Sequence, residues 1–481
     1  MRREFLINLI FLIGINLLIK PFYLFGIDRT VQNVVEPGAY GLYFALYNFT
    51  FLFQILNDFG LQNFNNRNIA QHRHLLDKYF PNILVLKLLL AGIYLLAVGF
   101  LAVTAGYGQK VLPLLCLIAF NQVLLSGILF FRSNVSGLGH YRTDSLLSVM
   151  DRLLLILICG ALLWTPAFRV QFKIEWFVLA QTAALGLTAL TAFFFVYGKL
   201  HRFRIEMSPA FLWLILKKSY PYALIVFLMT AYTRIDGVMI ERLLSDGRWE
   251  ADLYASAYRL LDAGNMIGYL FASLLLPMFA RLIKQEKPVA PLADLGFRFI
   301  MAGAIALALS VFFFRQPIMK LLYTSGSAYS ADILAWLIFS FIAISGSYIY
   351  GTLLTAHGSL REMNQIFAAG VAINVGLNLI LIPQQKAIGA AFATFITQML
   401  VFIAQYWLAH KKLGIYPGLA TWGKLLLFGS SVTVAIFFSS MYLPLSWPWQ
   451  FLLSLTLGGA AAWMTGLVNP RWLWSILSQQ K

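Results

Sequence analysis

Residues 221–282 read PYALIVFLMTAYTRIDGVMIERLLSDGRWEADLYASAYRLLDAGNMIGYLFASLLLPMFARL. Two apolar runs flank a short charged turn at residues 241–252. The ionisable residues inside the two runs are Arg234, Asp236, Arg259 and Asp262. If the runs are neighbouring membrane helices, each of these charges lies where hydrocarbon would surround it, at a cost of about 2.5–3.5 kcal/mol. Since such residues are rare unless they face a cavity, we expect this helical hairpin to carry the function.

The composition of the whole chain indicates a membrane protein. Of its 481 residues, 60% are hydrophobic and only 11% are charged, a balance that excludes a soluble globular protein and is typical of a polytopic membrane protein. The net charge is +17, but the basic residues lie between apolar runs rather than in one patch, as the positive-inside rule describes. We therefore expect membrane lipids, and no nucleic acid, among its partners.

The apolar runs predict an all-α fold with about fourteen transmembrane helices. A window of about 19 residues places the spans at 5–27, 38–62, 81–104, 111–131, 144–164, 174–198, 221–241, 253–280, 292–314, 331–356, 362–382, 388–409, 422–442 and 447–468. The first run has the flanking charge of a signal peptide but no cleavage site, so we interpret it as a retained helix. Most Lys and Arg residues between the spans lie in segments on the same side of the membrane as the N-terminus. By the positive-inside rule this side is the cytoplasm, and the even number of spans places the C-terminus there as well.

The sequence also contains an internal repeat. Its members are Ile27-Asp28 with Ile235-Asp236, Leu42-Tyr43-x-x-x-Tyr47 with Leu253-Tyr254-x-x-x-Tyr258, Arg67 with Arg281, and Gly139-x-x-Arg142 with Gly358-x-x-Arg361. The offsets rise in order, 208, 211, 214 and 219 residues, as small insertions in a duplicated six-helix unit would make them. Because six helices return the chain to its starting side, the two copies would share one topology, with a substrate site between them.

The repeat predicts three segments. An N-terminal six-helix lobe covers residues 1–200, and a second six-helix lobe in parallel repeat covers 201–415. Two additional transmembrane helices cover 416–481, with tryptophans near their ends that are typical of anchors at the membrane interface.

Charged residues occur inside several predicted spans. The basic ones are Lys20, Lys87, Arg152, Arg234, Arg259 and Arg298, and the acidic ones at similar depth are Asp151, Asp236 and Asp262. Exposing all of them to lipid would be too costly. They can form ion pairs between helices, or they can line a cavity with surplus positive charge. For Lys87 and Arg298, which lie near predicted cytoplasmic ends, we expect the side chain to extend to the interface.

The spacing of these charges predicts how they pair. Arg259 and Asp262 are three residues apart, share a helix face and can pair. Arg234 and Asp236 are two residues apart and should point in different directions. The adjacent residues Asp151 and Arg152 should diverge in the same way.

A cavity with surplus positive charge suits a diphosphate, whose oxygens accept several charge-assisted hydrogen bonds, and it suits an organic cation poorly. The sequence does not favour a metal site or ATP hydrolysis. The pair His72-x-His74 has no carboxylate or cysteine nearby, and a Gly-rich phosphate loop with Lys-Ser/Thr is absent. We therefore expect a protein that is not an enzyme and that uses no metal or cofactor.

Several motifs resemble those of a known superfamily. They are Gly38-Ala39-Tyr40-Gly41-Leu42-Tyr43, Asn57-Asp58-Phe59-Gly60-Leu61, Arg67-Asn68-Ile69-Ala70, Arg234-Ile235-Asp236, Tyr254-x-x-x-Tyr258-Arg259-Leu260, Gly358 to Pro383 with Asn374 and Asn378, and Ala387-Ile388-Gly389-Ala390-Ala391-x-Ala393-Thr394. Over residues 1 to about 410 the chain resembles polysaccharide exporters and O-antigen flippases of the multidrug/oligosaccharidyl-lipid/polysaccharide (MOP) exporter superfamily.

The resemblance implies a flippase of the bacterial inner membrane that moves an undecaprenyl-diphosphate-linked oligosaccharide outward by alternating access. By position in the matching helices, Lys20, Arg234 and Arg259 would contact the diphosphate, and Arg152 is a further candidate. Asp236 or Asp262 would couple transport to an ion. A polysaccharide polymerase and glycosyltransferases would be partners in the same pathway.

Alternatives remain open at this point. Lipid II flippases usually carry several arginines in the first helix, whereas this chain has the single Lys20, which favours an O-antigen, capsule or exopolysaccharide unit as cargo. A cation or drug antiporter of the same superfamily would need a cavity with net negative charge. A membrane glycosyltransferase or polymerase would need a large external loop, and the predicted spans leave none.

Overall fold

The computed structural model describes residues 14–16, 18–62, 65, 69, 76–203, 205, 209–415 and 417–467, and every regular element in these ranges is a helix. In chain order the elements are a π-helical segment π1 (Tyr23–Asp28), α1 (Arg29–Val34), α2 (Ala39–Leu52), α3 (Gln54–Asp58), α4 (Leu76–Thr104), α5 (Leu112–Gly137), α6 (Tyr141–Trp164), α7 (Pro166–Arg169), α8 (Ile174–Tyr197), α9 (Pro209–Leu243), α10 (Gly247–Lys284), α11 (Ala290–Phe313), α12 (Arg315–Leu322), α13 (Ala328–His357), α14 (Leu360–Leu413), α15 (Leu419–Tyr442) and α16 (Trp447–Met464). Arg67, His72, His74 and the start of the first predicted span lie outside the described residues.

The prediction of an all-α polytopic membrane protein is confirmed. Within the described part of the chain, ten helices are long and apolar enough to cross a membrane. These ten contain eleven of the fourteen predicted spans, because α14 holds two of them. The predicted span 38–62 is interrupted, since Phe53 separates α2 from α3 with φ −92° and ψ 7°. The last predicted span corresponds to α16.

A break inside α14 separates its two spans. Lys386 adopts φ 54° and ψ −133°, a conformation that side-chain-bearing residues rarely adopt. It follows Pro383, which cannot donate a hydrogen bond within the helix. The backbone therefore turns between the two spans, where the hydropathy also predicts the boundary.

The chain forms two compact units, Met1–Asp252 and Leu253–Lys481. In the first unit, α2 packs against α5 and α9, and α8 packs against α5 and α6. In the second unit, α13 packs against α14 and α11, and α15 and α16 pack against α11 and each other. The lobe limits at residues 200 and 415 remain a prediction.

Equivalent repeat positions have similar local structure in each unit. Gly139 follows α5 with φ 87°, and Gly358 follows α13 with φ 85°, so each glycine supplies the left-handed conformation that commonly ends a helix. The hydroxyl of the buried Tyr43 accepts a hydrogen bond from Gln181 of α8 at 2.8 Å. The hydroxyl of Tyr254 lies 3.4 Å from that of Thr394, in the second half of α14.

The start of α10 lies directly against α2 in the first unit. A Cβ atom at Gly41 would overlap the carbonyl oxygen of Arg248, so only glycine fits there. The carboxylate of Asp252 accepts hydrogen bonds from the side chain of Gln32 at 2.6 Å and from the N–H of Gly38 at 3.1 Å. By the predicted topology, this contact lies on the external side.

Replacing Gly41 by alanine tests this close contact. The added methyl group must displace backbone, so Gly41→Ala should destabilise the first unit by about 1–3 kcal/mol. The measurement is the melting temperature of the purified protein in detergent. The control is Gly92→Ala in α4, where a Cβ atom would meet nothing within 4 Å and where alanine favours the helix. Equal melting temperatures for the two variants would contradict the packing argument.

Candidate functional site

Lys20 and Arg152, two of the predicted ligands, lie close together in the first unit. Lys20 is partly buried and interacts electrostatically with Arg152, Asp151 and Arg132. Arg132 forms an ion pair with Asp144 at 2.8 Å. The three cations Lys20, Arg132 and Arg152 therefore lie with the carboxylates of Asp144 and Asp151 in one charged group.

The expectation that Asp151 and Arg152 diverge is wrong. The Arg152 Nε atom lies 3.6 Å from a carboxylate oxygen of Asp151, since the long arginine side chain can bend back towards its neighbour. The guanidinium also lies over the ring of Tyr23, 4.6 Å from its centroid. Arg152 is thus held in place by a carboxylate and an aromatic face, and it remains partly exposed.

Asp28, the repeat counterpart of Asp236, is buried beside this group. Its carboxylate accepts hydrogen bonds from the hydroxyl of Tyr40 at 2.8 Å and from that of Tyr23 at 3.4 Å. Tyr23 therefore contacts both Asp28 and Arg152. This arrangement fixes the position of the ring beneath the guanidinium.

Arg234, on α9, lies over the ring of Phe51 in α2, with 5.9 Å between the guanidinium carbon and the ring centroid. Arg234 is partly exposed, whereas Asp236 is 1% exposed. That the two residues point in different directions stays a prediction. The next residue, Gly237, packs so closely on Phe44 and Asn48 that a Cβ atom would lie 2.7 Å from each.

Lys87 does not extend to the interface, and that prediction is wrong. Its ammonium group is buried and donates hydrogen bonds to Asp58 at 2.7 Å and to Ser126 at 2.6 Å. Asp58 ends α3, 29 residues away in the chain, and supplies a closer partner than the interface does. Arg298 pairs with Asp294, one helical turn earlier, at 2.6 Å.

In the second unit, Arg259 and Asp262 form the predicted ion pair. The distance between the Arg259 Nη1 atom and the Asp262 carboxylate is 3.5 Å, and both side chains are partly exposed. Arg259 therefore has a local counter-charge that Lys20 lacks, since no carboxylate of the described residues lies within 4 Å of Lys20.

A second polar cluster, which no sequence pattern predicted, lies near the end of α9. The guanidinium of Arg242 stacks on the ring of Tyr107, 3.4 Å from its centroid, and pairs with Glu241 at 2.7 Å. Burial, with a contribution from Glu241, raises the pKa of Tyr107 to about 12. The phenol therefore stays protonated and donates to Glu241 at 3.4 Å. This cluster ties the loop after α4 to α9.

The partly exposed cations of the first unit include Lys20, and also Arg152 and Arg234 on helices long enough to cross a membrane. Guanidinium and ammonium groups bind phosphate oxygens through charge-assisted hydrogen bonds. In the part of the chain that the structure describes, no group of three or more His, Cys, Asp and Glu residues is arranged to hold a metal ion. The arrangement is suited to binding an anion.

Comparison with solved structures defines the class of protein. A lipid II flippase MurJ in an inward closed conformation matches with a TM-score of 0.70 at 14% identity, over 93% of this chain and 97% of that one. An inward-facing multidrug resistance transporter of the MATE family matches with 0.64 at 15% identity, over 81% and 94%. A MOP superfamily transporter from Pyrococcus furiosus matches with 0.58 at 16% identity, over 85% and 94%. The chain therefore has the fold of the MOP superfamily.

A family model, described as polysaccharide biosynthesis protein, matches residues 6–283, more than half of the chain. The chain belongs to this family. No curated protein matches it by sequence.

A double substitution separates a structural role of the Arg259–Asp262 pair from a binding role. Arg259→Met alone should lower the stability of the protein, because it leaves the Asp262 carboxylate without its counter-charge. Removing one partner of a fully buried ion pair costs about 3–5 kcal/mol, and we expect a smaller loss here because this pair is partly exposed. Arg259→Met with Asp262→Leu should recover most of that loss. Melting temperatures in detergent measure both. A double variant as unstable as the single one would show that pairing is not what stabilises these residues.

Proposed function

We propose that this protein is a flippase that moves an undecaprenyl-diphosphate-linked oligosaccharide outward across the bacterial inner membrane, for O-antigen, capsule or exopolysaccharide synthesis. The observation that carries the proposal is that Lys20, Arg152 and Arg234 are partly exposed cations of the first unit, the two arginines on helices long enough to cross a membrane. Membership of the polysaccharide biosynthesis family supports the class of cargo.

The cations would hold the diphosphate, which is the charged part of the cargo. A diphosphate offers several oxygens, and planar guanidinium groups bind such oxygens in a bidentate manner. Arg152 and Arg234 are pre-positioned by stacking on Tyr23 and Phe51, which lowers the entropy lost on binding. Arg259 of the second unit would be a fourth ligand.

Alternating access would require the close contact between α2 and the start of α10 to open on the external side. The interactions at Gly41 and Asp252 hold these helices together within the first unit. We propose that they separate when the cargo leaves outward. Asp236 and Asp262 would couple this change to an ion, because their carboxylates lie on the same two helices, α9 and α10, as Arg234 and Arg259.

The orientation follows from the charges between the spans. Both termini would lie in the cytoplasm, where basic loops are retained. Cargo would then be taken from the glycosyltransferases that build it on the inner leaflet and delivered to a polymerase on the other side. An antiporter of cationic drugs is the alternative that the similarity to a MATE transporter suggests, and the partly exposed cations Lys20, Arg152 and Arg234 would repel such a substrate.

Transport by the purified protein tests the proposal. In proteoliposomes that contain a fluorescent lipid-linked oligosaccharide, the wild-type protein should accelerate its translocation. Arg152→Gln and Arg234→Gln should each slow translocation about 10- to 100-fold, since a hydrogen bond to a charged group contributes about 1.5–3 kcal/mol. The matched control is Arg315→Gln, whose guanidinium already pairs with Asp332 at 3.4 Å. Equal rates for all three variants would refute the assigned role of the cations.

A deletion strain provides the test in the cell. Loss of the protein should remove the surface polysaccharide and cause lipid-linked units to accumulate in the inner leaflet. A strain that retains its polysaccharide and accumulates no lipid-linked units would contradict the proposed cargo.

A further inference from the structure

Three aromatic residues follow one another along a single face of α2. Tyr43, Tyr47 and Phe51 are spaced four residues apart, so their side chains lie above one another at intervals of about 6 Å. The ring centroids of Tyr43 and Tyr47 are 6.1 Å apart, and those of Tyr47 and Phe51 are 5.8 Å apart with the planes inclined by only 19°. The last two rings therefore form a nearly continuous aromatic surface.

These two rings are not part of the buried core. Phe44 and Phe49, on other faces of the same helix, are 1% and 6% exposed, whereas Tyr47 and Phe51 are partly exposed. Packing in the core explains why Phe44 and Phe49 are aromatic. It does not account for a stacked pair that keeps part of its surface outside the core.

Cations lie at both ends of this aromatic surface. At one end Arg234 lies over the ring of Phe51, 5.9 Å from its centroid. At the other end Arg152 interacts electrostatically with Tyr43 and Tyr47 and lies over Tyr23. An arginine beside acyl chains is costly, so the face of α2 that carries these rings is turned away from lipid.

The ring faces match the chemistry of a pyranose. A sugar ring has one face of C–H groups with slight positive charge, which packs favourably on the negative face of an aromatic ring. Its hydroxyl groups hydrogen-bond with nearby polar groups, here the Tyr47 hydroxyl and the two guanidinium groups. Binding sites of this kind combine aromatic faces with a few polar groups that fix the orientation of the ligand.

We propose that Tyr47 and Phe51 form a stacking shelf for the sugar adjacent to the diphosphate of the cargo, so that the protein distinguishes glycosylated lipid diphosphate from the bare carrier. This inference rests on the proposed function and specifies what the same site recognises beside the phosphates. Arg152 and Arg234 would hold the diphosphate while the rings contact the sugar.

Binding of two probes to the full-length protein in detergent tests the stacking shelf. The probes are undecaprenyl diphosphate and undecaprenyl diphosphate that carries one N-acetylglucosamine, and dissociation constants are measured for both. The wild-type protein should bind the glycosylated probe more tightly. Tyr47→Leu should weaken its binding about two- to tenfold and leave binding of the bare probe unchanged. Phe51→Leu also removes the ring beneath Arg234, so it should weaken binding of the glycosylated probe more than binding of the bare one. Arg152→Gln should weaken binding of both probes.

Conservative variants and a lipid-facing control keep the test independent of folding. Phe51→Trp and Tyr47→Phe retain an aromatic face and should still bind the glycosylated probe more tightly than the bare one, even if a leucine variant fails to fold. Tyr47→Phe should lose only the contribution of the hydroxyl group. Phe100→Leu removes a ring that is 69% exposed on α4 and should change neither affinity.

Each remaining outcome counts against a defined part of the argument. Equal affinity of the wild-type protein for the two probes would overturn the stacking shelf and leave the proposed function intact. Leucine variants that weaken both probes equally, or neither, would also overturn it. A wild-type protein that binds neither probe would overturn the proposed function itself, and the stacking shelf with it.

Discussion

The cost of placing charge in hydrocarbon governs the arrangement of this protein. Each ionisable side chain in a membrane helix must find a counter-charge, a polar partner or an aqueous surface. Lys87 satisfies this requirement with Asp58 and Ser126, and is buried as a result. Arg259 does so with Asp262 on the same helix. Cations that have no carboxylate at ion-pair distance are the ones that can bind a ligand. Lys20 is the best example among the described residues.

Close packing of helices complements this rule in the first unit. Glycines at positions 41 and 237 allow α2 to approach the start of α10 and the middle of α9. At such short distances polar groups can bond across the contact, as Asp252 does with Gln32 and with the backbone of Gly38. The same helix, α2, also carries Tyr47 and Phe51. The helix α2 thus carries both the close contact with α9 and α10 and the proposed stacking shelf.

The positions of Arg152 and Arg234 connect the charges with the aromatic residues. Both guanidinium groups lie over rings, Tyr23 in one case and Phe51 in the other. Such contacts restrict the position of a cation, and for Arg152 they act together with the carboxylate of Asp151. A MOP-type fold that presents cations in this way is suited to an anionic, partly apolar cargo, and a polyprenyl diphosphate with attached sugars has these properties.

The sequence by itself determined the fold class and the membrane spans, because hydropathy over about 19 residues is a local property. It also determined the break near Lys386, the repeat glycines Gly139 and Gly358, and the Arg259–Asp262 pair, since each depends on residues close together in the chain. The candidate cations could be identified for the same reason, because a charged residue within an apolar run is recognised from the sequence alone, without knowing which residues surround it in space.

Only the tertiary structure decided which charges are compensated by partners far away in the chain. Lys87 and Asp58 are 29 residues apart, and Gln32 and Asp252 are 220 apart, so no spacing rule brings them together. The Asp151–Arg152 contact depends on the conformation of a long side chain, which helical periodicity does not describe. The stacking of Arg234 on Phe51 likewise requires α9 to lie against α2. Pairing is a property of helix packing, and packing is decided by long-range contacts that no local pattern of residues encodes.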